Sequence, residues 1–324
     1  MPTLEVNIAP SHPTGLILKN PVITASGTFG YGTEYAPIYD VNRLGAIAAK
    51  AVTLQPRTGN PMPRIVEVPG GMLNAIGLQN VGVEALVREK APLWAKWDVP
   101  VIANVAGASL EEYVTIAELL DGVPGIAALE LNISCPNVAH GLDFGTDPDM
   151  AGALTQAVSE RNSLPLIVKL TPNVTDIRPV AIAVAEAGAH ALAIMNTLTG
   201  LAIDVEQKCP VLATTTGGLS GPAVRSIALR LVYAVAPLVD VPIIGIGGIG
   251  TTEDALMFLM AGATAVQIGT ANFYNHRAPL EIIAGLQAYC GKEGLESIQD
   301  IVGAALPHQV EAIARSQREQ ALTT

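Results

Sequence analysis

The chain has 324 residues, half of them hydrophobic, and carries 18 basic against 29 acidic side chains, a net charge of −11. With no basic cluster above that background, the balance argues against nucleic acid or an anionic membrane surface as a partner and fits cytoplasmic small-molecule chemistry. No stretch approaches 18 uninterrupted apolar residues, and "MPTLEVNIAPSHPTG" lacks a basic segment followed by an apolar one, so neither a membrane span nor a secretory signal is expected.

Eight apolar runs rich in branched residues read as strands, in order "VITASG" from 22, "GAIAAKAVT" from 45, "VPVIANVAG" from 99, "IAALELNIS" from 126, "LPLIVKLTP" from 164, "HALAIMNT" from 190, "VPIIGIGGI" from 241 and "TAVQIGT" from 264. Helical patterns lie between most of them, as in "DPDMAGALTQAVSER" (147–161) and "DIRPVAIAVAEAGA" (176–189). Strands alternating with helices argue a parallel sheet, and eight such units predict a closed (β/α)₈ TIM barrel. A doubly wound open sheet is the structural alternative. Residues 1–314 read as one domain and 315–324 as a polar tail. Long connections rich in Gly, Pro and Asn follow strands two (54–82), four (135–148) and six (198–221). They lie on the carboxyl-end face, and long structured loops in a compact domain are usually functional.

A polar residue stands near the carboxyl end of six strands: Ser26, Lys50, Asn104, Asn132, Lys169 and Asn196. In "LIVKL", alternation turns Lys169 toward the barrel axis if Val168 and Leu170 face helices. A buried lysine or asparagine is costly unless paired. Any single one could be a satisfied core residue, but six at equivalent positions on the face where barrel enzymes build their sites point to function. Strands seven and eight offer bare backbone instead, Gly247-Gly248 and Gly269-Thr270.

"GIGGIG" (245–250) matches a dinucleotide motif formally but lacks an acidic partner about 20 residues on, and it ends the seventh strand rather than the first. In a barrel, the loops after strands seven and eight bind phosphate through backbone N–H groups and a helix amino terminus, so a phosphate monoester is the preferred ligand. A phosphate clamp, two lysines and several neutral amides suggest FMN, whose reduced ring an inward lysine can stabilise. A Schiff-base aldolase would also want a barrel lysine, and nothing local separates the two uses of Lys169. The three cysteines, Cys135, Cys209 and Cys290, are odd in number and far apart, which suggests a reducing compartment. They are too few for an all-cysteine iron–sulfur cluster, and no metal site is expected.

"NPVITASGTFGYG", "NAIGLQN", "ELNISCPNV", "FGTDP", "VKLTPNVTDI", "NTLTGLAIDVE", "GGLSGPAV" and "GIGGI" together resemble the dihydroorotate dehydrogenases, in that family's order and over nearly the whole chain. The cysteine of "NISCPN" is similar to the soluble class 1 enzymes. "PRTGNPMPRIVEVPGGMLNAIGLQN" and "FGTDP" look like class 1B, whose electrons reach NAD through a second subunit carrying FAD and a 2Fe-2S cluster. The resemblance implies oxidation of dihydroorotate to orotate in pyrimidine synthesis, with one FMN per chain and a homodimer within a heterotetramer. It makes Cys135 the base that takes the proton. Lys50, Asn74, Asn132, Asn137, Asn196 and Thr197 would hold the substrate, with Ala75, Ile76, Gly77 and Leu78 lining its pocket. FMN would contact Ser26, Lys50, Ala51, Asn104, Asn132, Lys169 and Met195, and its phosphate Gly221, Gly247, Gly248, Gly269 and Thr270. "LQNVG" departs from the family at Val81, where proline is usual. A class 1A-like fumarate-using enzyme and another FMN-dependent dihydropyrimidine or dihydrouridine reductase are the alternatives. A non-enzymatic assembly barrel is the third.

Overall fold

Each of the eight apolar runs carries a parallel strand in the computed structural model, which describes residues 2–134 and 144–307. They are β1 Val22–Thr24, β2 Ala46–Ala48, β3 Val101–Val105, β4 Ala128–Asn132, β5 Leu166–Leu170, β6 Ala191–Ile194, β7 Ile243–Ile246 and β8 Ala265–Ile268. β8 pairs with β1 and so closes a (β/α)₈ barrel, which leaves no sheet edge and excludes the open sheet. Both faces are covered, by inward side chains and by helices, and the strands accordingly read as continuous apolar runs rather than alternating ones.

The helices α1 Leu110–Leu120, α2 Pro148–Ser159, α3 Arg178–Glu186, α4 Arg225–Val235, α5 Thr252–Met260 and α6 Ala278–Glu293 surround the barrel. Their starts are written locally. Ser109 accepts from the Glu112 N–H, and Asp147 accepts from the N–H groups of Asp149 and Met150, with Pro148 in the first helical position. α1 buries Tyr113, Ile116, Ala117 and Leu120, the 3–4 spacing of one apolar stripe.

Two of the long connections hold structure that the sequence did not reveal. Ile65–Val68 and Gly71–Asn74, after β2, join Leu198–Leu201 and Thr216–Ser220, after β6, in one antiparallel sheet that roofs the barrel mouth. These segments contain Gly200, Gly217, Gly218 and Asn74, residue types depleted in strands, and the pairing that unites the sheet joins Gly71–Asn74 to Thr216–Ser220, more than a hundred positions away. Gly218 is needed for closeness: a Cβ there would stand 2.7 Å from Thr197 Cβ. Most of the long connection after β4 (135–143), with Cys135 and Asn137, lies outside the described residues. So does the tail expected at 315–324.

Candidate active site

A cavity of about 570 Å³ lies between the carboxyl ends of the strands and the roof, within the size range of small-molecule sites. Ser26 reaches it from beyond β1, Lys50 and Ala51 from beyond β2, Asn132 from the end of β4 and Lys169 from within β5. Met195, Asn196 and Thr197 follow β6, Gly247 and Gly248 follow β7, and Gly269 and Thr270 follow β8; all of them open onto the same space. Asn74, Ala75, Ile76, Gly77 and Leu78 descend from the roof, and Gly221 stands at its far end. Asn104 is the exception. It is 1% exposed, does not line the cavity, and lies beneath its floor.

The register explains the floor. Asn104 pairs with Glu130, and Asn132 with Lys169, so alternation puts all four on the inner face. Asn104 Nδ2 donates to Glu130 Oε1 at 2.6 Å, and Gln267 Nε2 donates to Glu130 Oε2. Lys169 Nζ stands 3.6 Å from Glu130 Oε1 and 3.4 Å from Gln267 Oε1. Glu130 and Gln267 were missed in the sequence. Their signal was present, since each sits two positions before an inward residue, Asn132 in "ELN" and Gly269 in "QIG".

One wall is made of amides. Asn196 Nδ2 donates to Asn132 Oδ1 at 3.0 Å, and Asn196 Oδ1 accepts from the Thr197 N–H at 2.8 Å. Asn74 Nδ2 donates to the Gly218 carbonyl at 3.3 Å. Asn173, also missed, lines the cavity and ties the loop after β5 to the one after β6, donating to the Thr197 carbonyl at 3.0 Å and accepting from the Thr199 N–H at 2.9 Å. Asparagines in such a wall can offer either a donor or an acceptor without adding charge.

The opposite end suits an anion. The backbone N–H groups of Gly248, Ile249, Thr270 and Ala271 make no hydrogen bond among the described residues, and all four residues line the cavity. Gly248 has φ 70° and Gly247 φ 132°, a left-handed stretch that glycine permits. The expected helix terminus after β7 is used differently. Asp254 forms a capping box with Thr251, accepts from the Gly250 and Thr251 N–H groups at 3.0 Å, and receives Arg225 Nη1 at 2.5 Å. A carboxylate of the chain already occupies that helix start, so the free donors are those of Gly248 and Ile249, just before it.

Lys50 adds positive charge. Burial pushes its ammonium below the usual 10.5, the Arg64 guanidinium pushes it the same way, and Glu34 opposes them. Among the described residues, no group of three or more His, Cys, Asp or Glu is placed to hold a metal, and no helix is long and apolar enough to cross a membrane.

A family model described as dihydroorotate dehydrogenase matches residues 8–289. A protein of Desulforudis audaxviator named dihydroorotate dehydrogenase B (NAD(+)), catalytic subunit, is 56% identical over 292 residues, covering 90% of this chain and 95% of that protein. The proteins of that name from Geobacter sulfurreducens and Geotalea daltonii are 54% and 53% identical over 304 residues, each match covering 94% of this chain and 98% of the relative. The chain belongs to the dihydroorotate dehydrogenase family.

Proposed function

We propose that this chain oxidises dihydroorotate to orotate in pyrimidine synthesis, as a single FMN-binding barrel domain of the cytoplasm over residues 1–314, with 315–324 as a tail. The observation that carries the reading is the convergence in one cavity of four N–H groups without a hydrogen-bond partner among the described residues, an amide wall and Lys169. The donor set fits FMN: the N–H groups of Gly248, Ile249, Thr270 and Ala271 suit a phosphate dianion, and Lys169 suits a ring that gains negative charge on reduction. Gly221, Gly247 and Gly269 border the same end, and Ser26, Lys50, Ala51, Asn132 and Met195, which line the cavity, would contact the rest of the cofactor.

Dihydroorotate becomes orotate by losing a proton from one ring carbon and a hydride from its neighbour. Bound FMN supplies the hydride acceptor. Cys135 takes the proton, a role a thiol can fill when its site favours the thiolate. Asn74, Asn132, Asn137, Asn196 and Thr197 hold the substrate's ring amides and carboxylate, with Lys50 as counter-charge, while the roof excludes water. Cys135→Ala should keep the yellow flavin and lose about 10²–10⁴-fold in dihydroorotate oxidation, the usual contribution of a general base; a loss under about tenfold would remove Cys135 from that role.

The relatives' name, with its NAD(+) and catalytic subunit, supports the class 1B arrangement. Two copies of this chain would work with two electron-transfer subunits carrying FAD and 2Fe-2S, since three cysteines cannot supply four thiolates. The test is an anaerobic titration of the purified chain with dihydroorotate, following flavin absorbance. Bleaching supports the assignment. A bound flavin that does not bleach would keep the cofactor site and overturn the substrate.

A further inference from the structure

The proposed chemistry makes no use of the buried carboxyl group of Glu130. Glu130 is 0% exposed, touches no part of the cavity surface, and sits on the barrel axis beneath it. We propose that Glu130 is a positioning residue that sets the charge and hydrogen-bond polarity of the cavity floor, and thereby holds down the reduction potential of bound FMN through Lys169. This inference rests on the flavin reading.

An ionised carboxylate only accepts hydrogen bonds, so both amides that touch it must present their NH₂ groups. Asn104 gives its Nδ2 to Oε1 and Gln267 its Nε2 to Oε2. That fixes the remaining oxygens as acceptors facing elsewhere. Gln267 Oε1 accepts from Lys169 Nζ at 3.4 Å, and Asn104 Oδ1 is buried with no partner among the described residues. One side chain thus orients two amides from β3 and β8 and meets a cation from β5.

The geometry of the ion pair supports a tuning role over a merely cohesive one. A seated lysine–carboxylate bond runs about 2.7–2.9 Å. Here Lys169 Nζ is 3.6 Å from Glu130 Oε1, with side chains 7% and 0% exposed. Lys169 is therefore held within reach of Glu130 without being spent on it, and it opens onto the cavity. In a medium this poor in water, a carboxylate at that distance offsets much of the ammonium's field. Removing the carboxylate would leave the full cation at the cavity wall and so favour the reduced, more negative form of a bound FMN. It also forces an amide to turn over, because glutamine at 130 has one acceptor and one donor for two NH₂ groups.

The test is spectroelectrochemical titration of FMN in the wild-type, Glu130→Gln, Lys169→Gln and double-variant holoproteins, with FMN affinity measured alongside. Glu130→Gln should shift the two-electron equilibrium toward reduced FMN at least tenfold, about 30 mV. Glu130→Asp, which keeps the charge, should stay within about threefold of wild type. Without Lys169 the cation through which Glu130 acts is gone, so adding Glu130→Gln to Lys169→Gln should change the equilibrium by less than about threefold. That last pair strands no cation, and it decides the matter if Glu130→Gln alone does not fold. An unmoved potential in Glu130→Gln, or a tenfold difference between Lys169→Gln and the double variant, overturns the inference. A wild-type chain that takes up no FMN fails the flavin reading itself.

Discussion

A half-buried lysine beside another cation loses its proton earlier than one in water, and Lys50, at the edge of the cavity near Arg64, is in that position. Burial comes first among the causes and Arg64 second. With the folded value below 10.5, the protonation of Lys50 costs folding stability at neutral pH, and that cost lifts as pH rises past the lowered value toward 10.5. Binding runs the other way, because an anionic ligand needs the cation. Affinity for orotate should therefore weaken as pH rises through a break below 10.5, and Lys50→Gln should be weak and flat over the same range. Calorimetric titration with orotate between neutral and alkaline pH would show it.

The glycines of the anion end differ in the same residue-level way. Gly248 has φ 70°, and a Cβ would meet Arg225 Cβ at 2.7 Å and the Gly221 carbonyl oxygen at 2.8 Å. Gly269 has no such φ, and a Cβ there would find Ala25 Cβ at 3.6 Å and Thr28 Cγ2 at 3.9 Å, ordinary contacts beside the cavity. Gly248→Ala should thus lose about 1–3 kcal/mol of stability along with FMN affinity. Gly269→Ala should keep its melting temperature and bind FMN about tenfold more weakly, about 1.4 kcal/mol. A melting curve and a flavin fluorescence titration on each variant separate the two effects.

At the scale of elements, the loop between β7 and α5 has its helix start filled by a carboxylate of the chain, beside the cavity. Asp254 caps α5, holds the Gly250 and Thr251 N–H groups, and anchors Arg225 of α4. The loop is thus pinned immediately after Gly248 and Ile249, whose N–H groups make no hydrogen bond among the described residues. Asp254→Ala should cost about 1 kcal/mol as a lost cap. It should also weaken FMN binding beyond what Thr251→Ala does, because only Asp254 joins the helix start to Arg225. Equal FMN affinity in the two variants would show that the cap alone matters. The roof sheet works on the same scale: its strands come from two loops far apart in the chain, and their pairing sets Asn74 opposite Gly218.

Across the whole molecule, the cavity has an anion-suited end and an amide wall, and the chain's three cysteines are too few for an all-cysteine iron–sulfur cluster. The purified chain should reduce NAD slowly even when dihydroorotate bleaches its flavin, and rapidly once the electron-transfer subunit is added. Steady-state NADH formation with and without that subunit measures this. Fast reduction by the chain alone would remove the two-subunit arrangement.

The barrel was legible because its strands are buried on both faces and written as unbroken apolar runs, each within the span that became β1 to β8. Helix starts were legible where one side chain makes the cap, as at Asp147. The ring of polar strand-end residues was legible too, because alternation is a local rule. What the sequence could not give is which distant groups meet. Glu130, Gln267 and Asn104 become a network only when β4, β8 and β3 are rolled around one axis. Asn104 sits below the floor rather than on it because closure, not alternation, decides depth. The helix start after β7 was expected to be open, and its own Asp254 fills it. Local chemistry fixes what each residue can offer; the closed barrel decides to whom, since its closure and contacts across its interior bring together residues more than a hundred positions apart, as Gln267 meets Glu130.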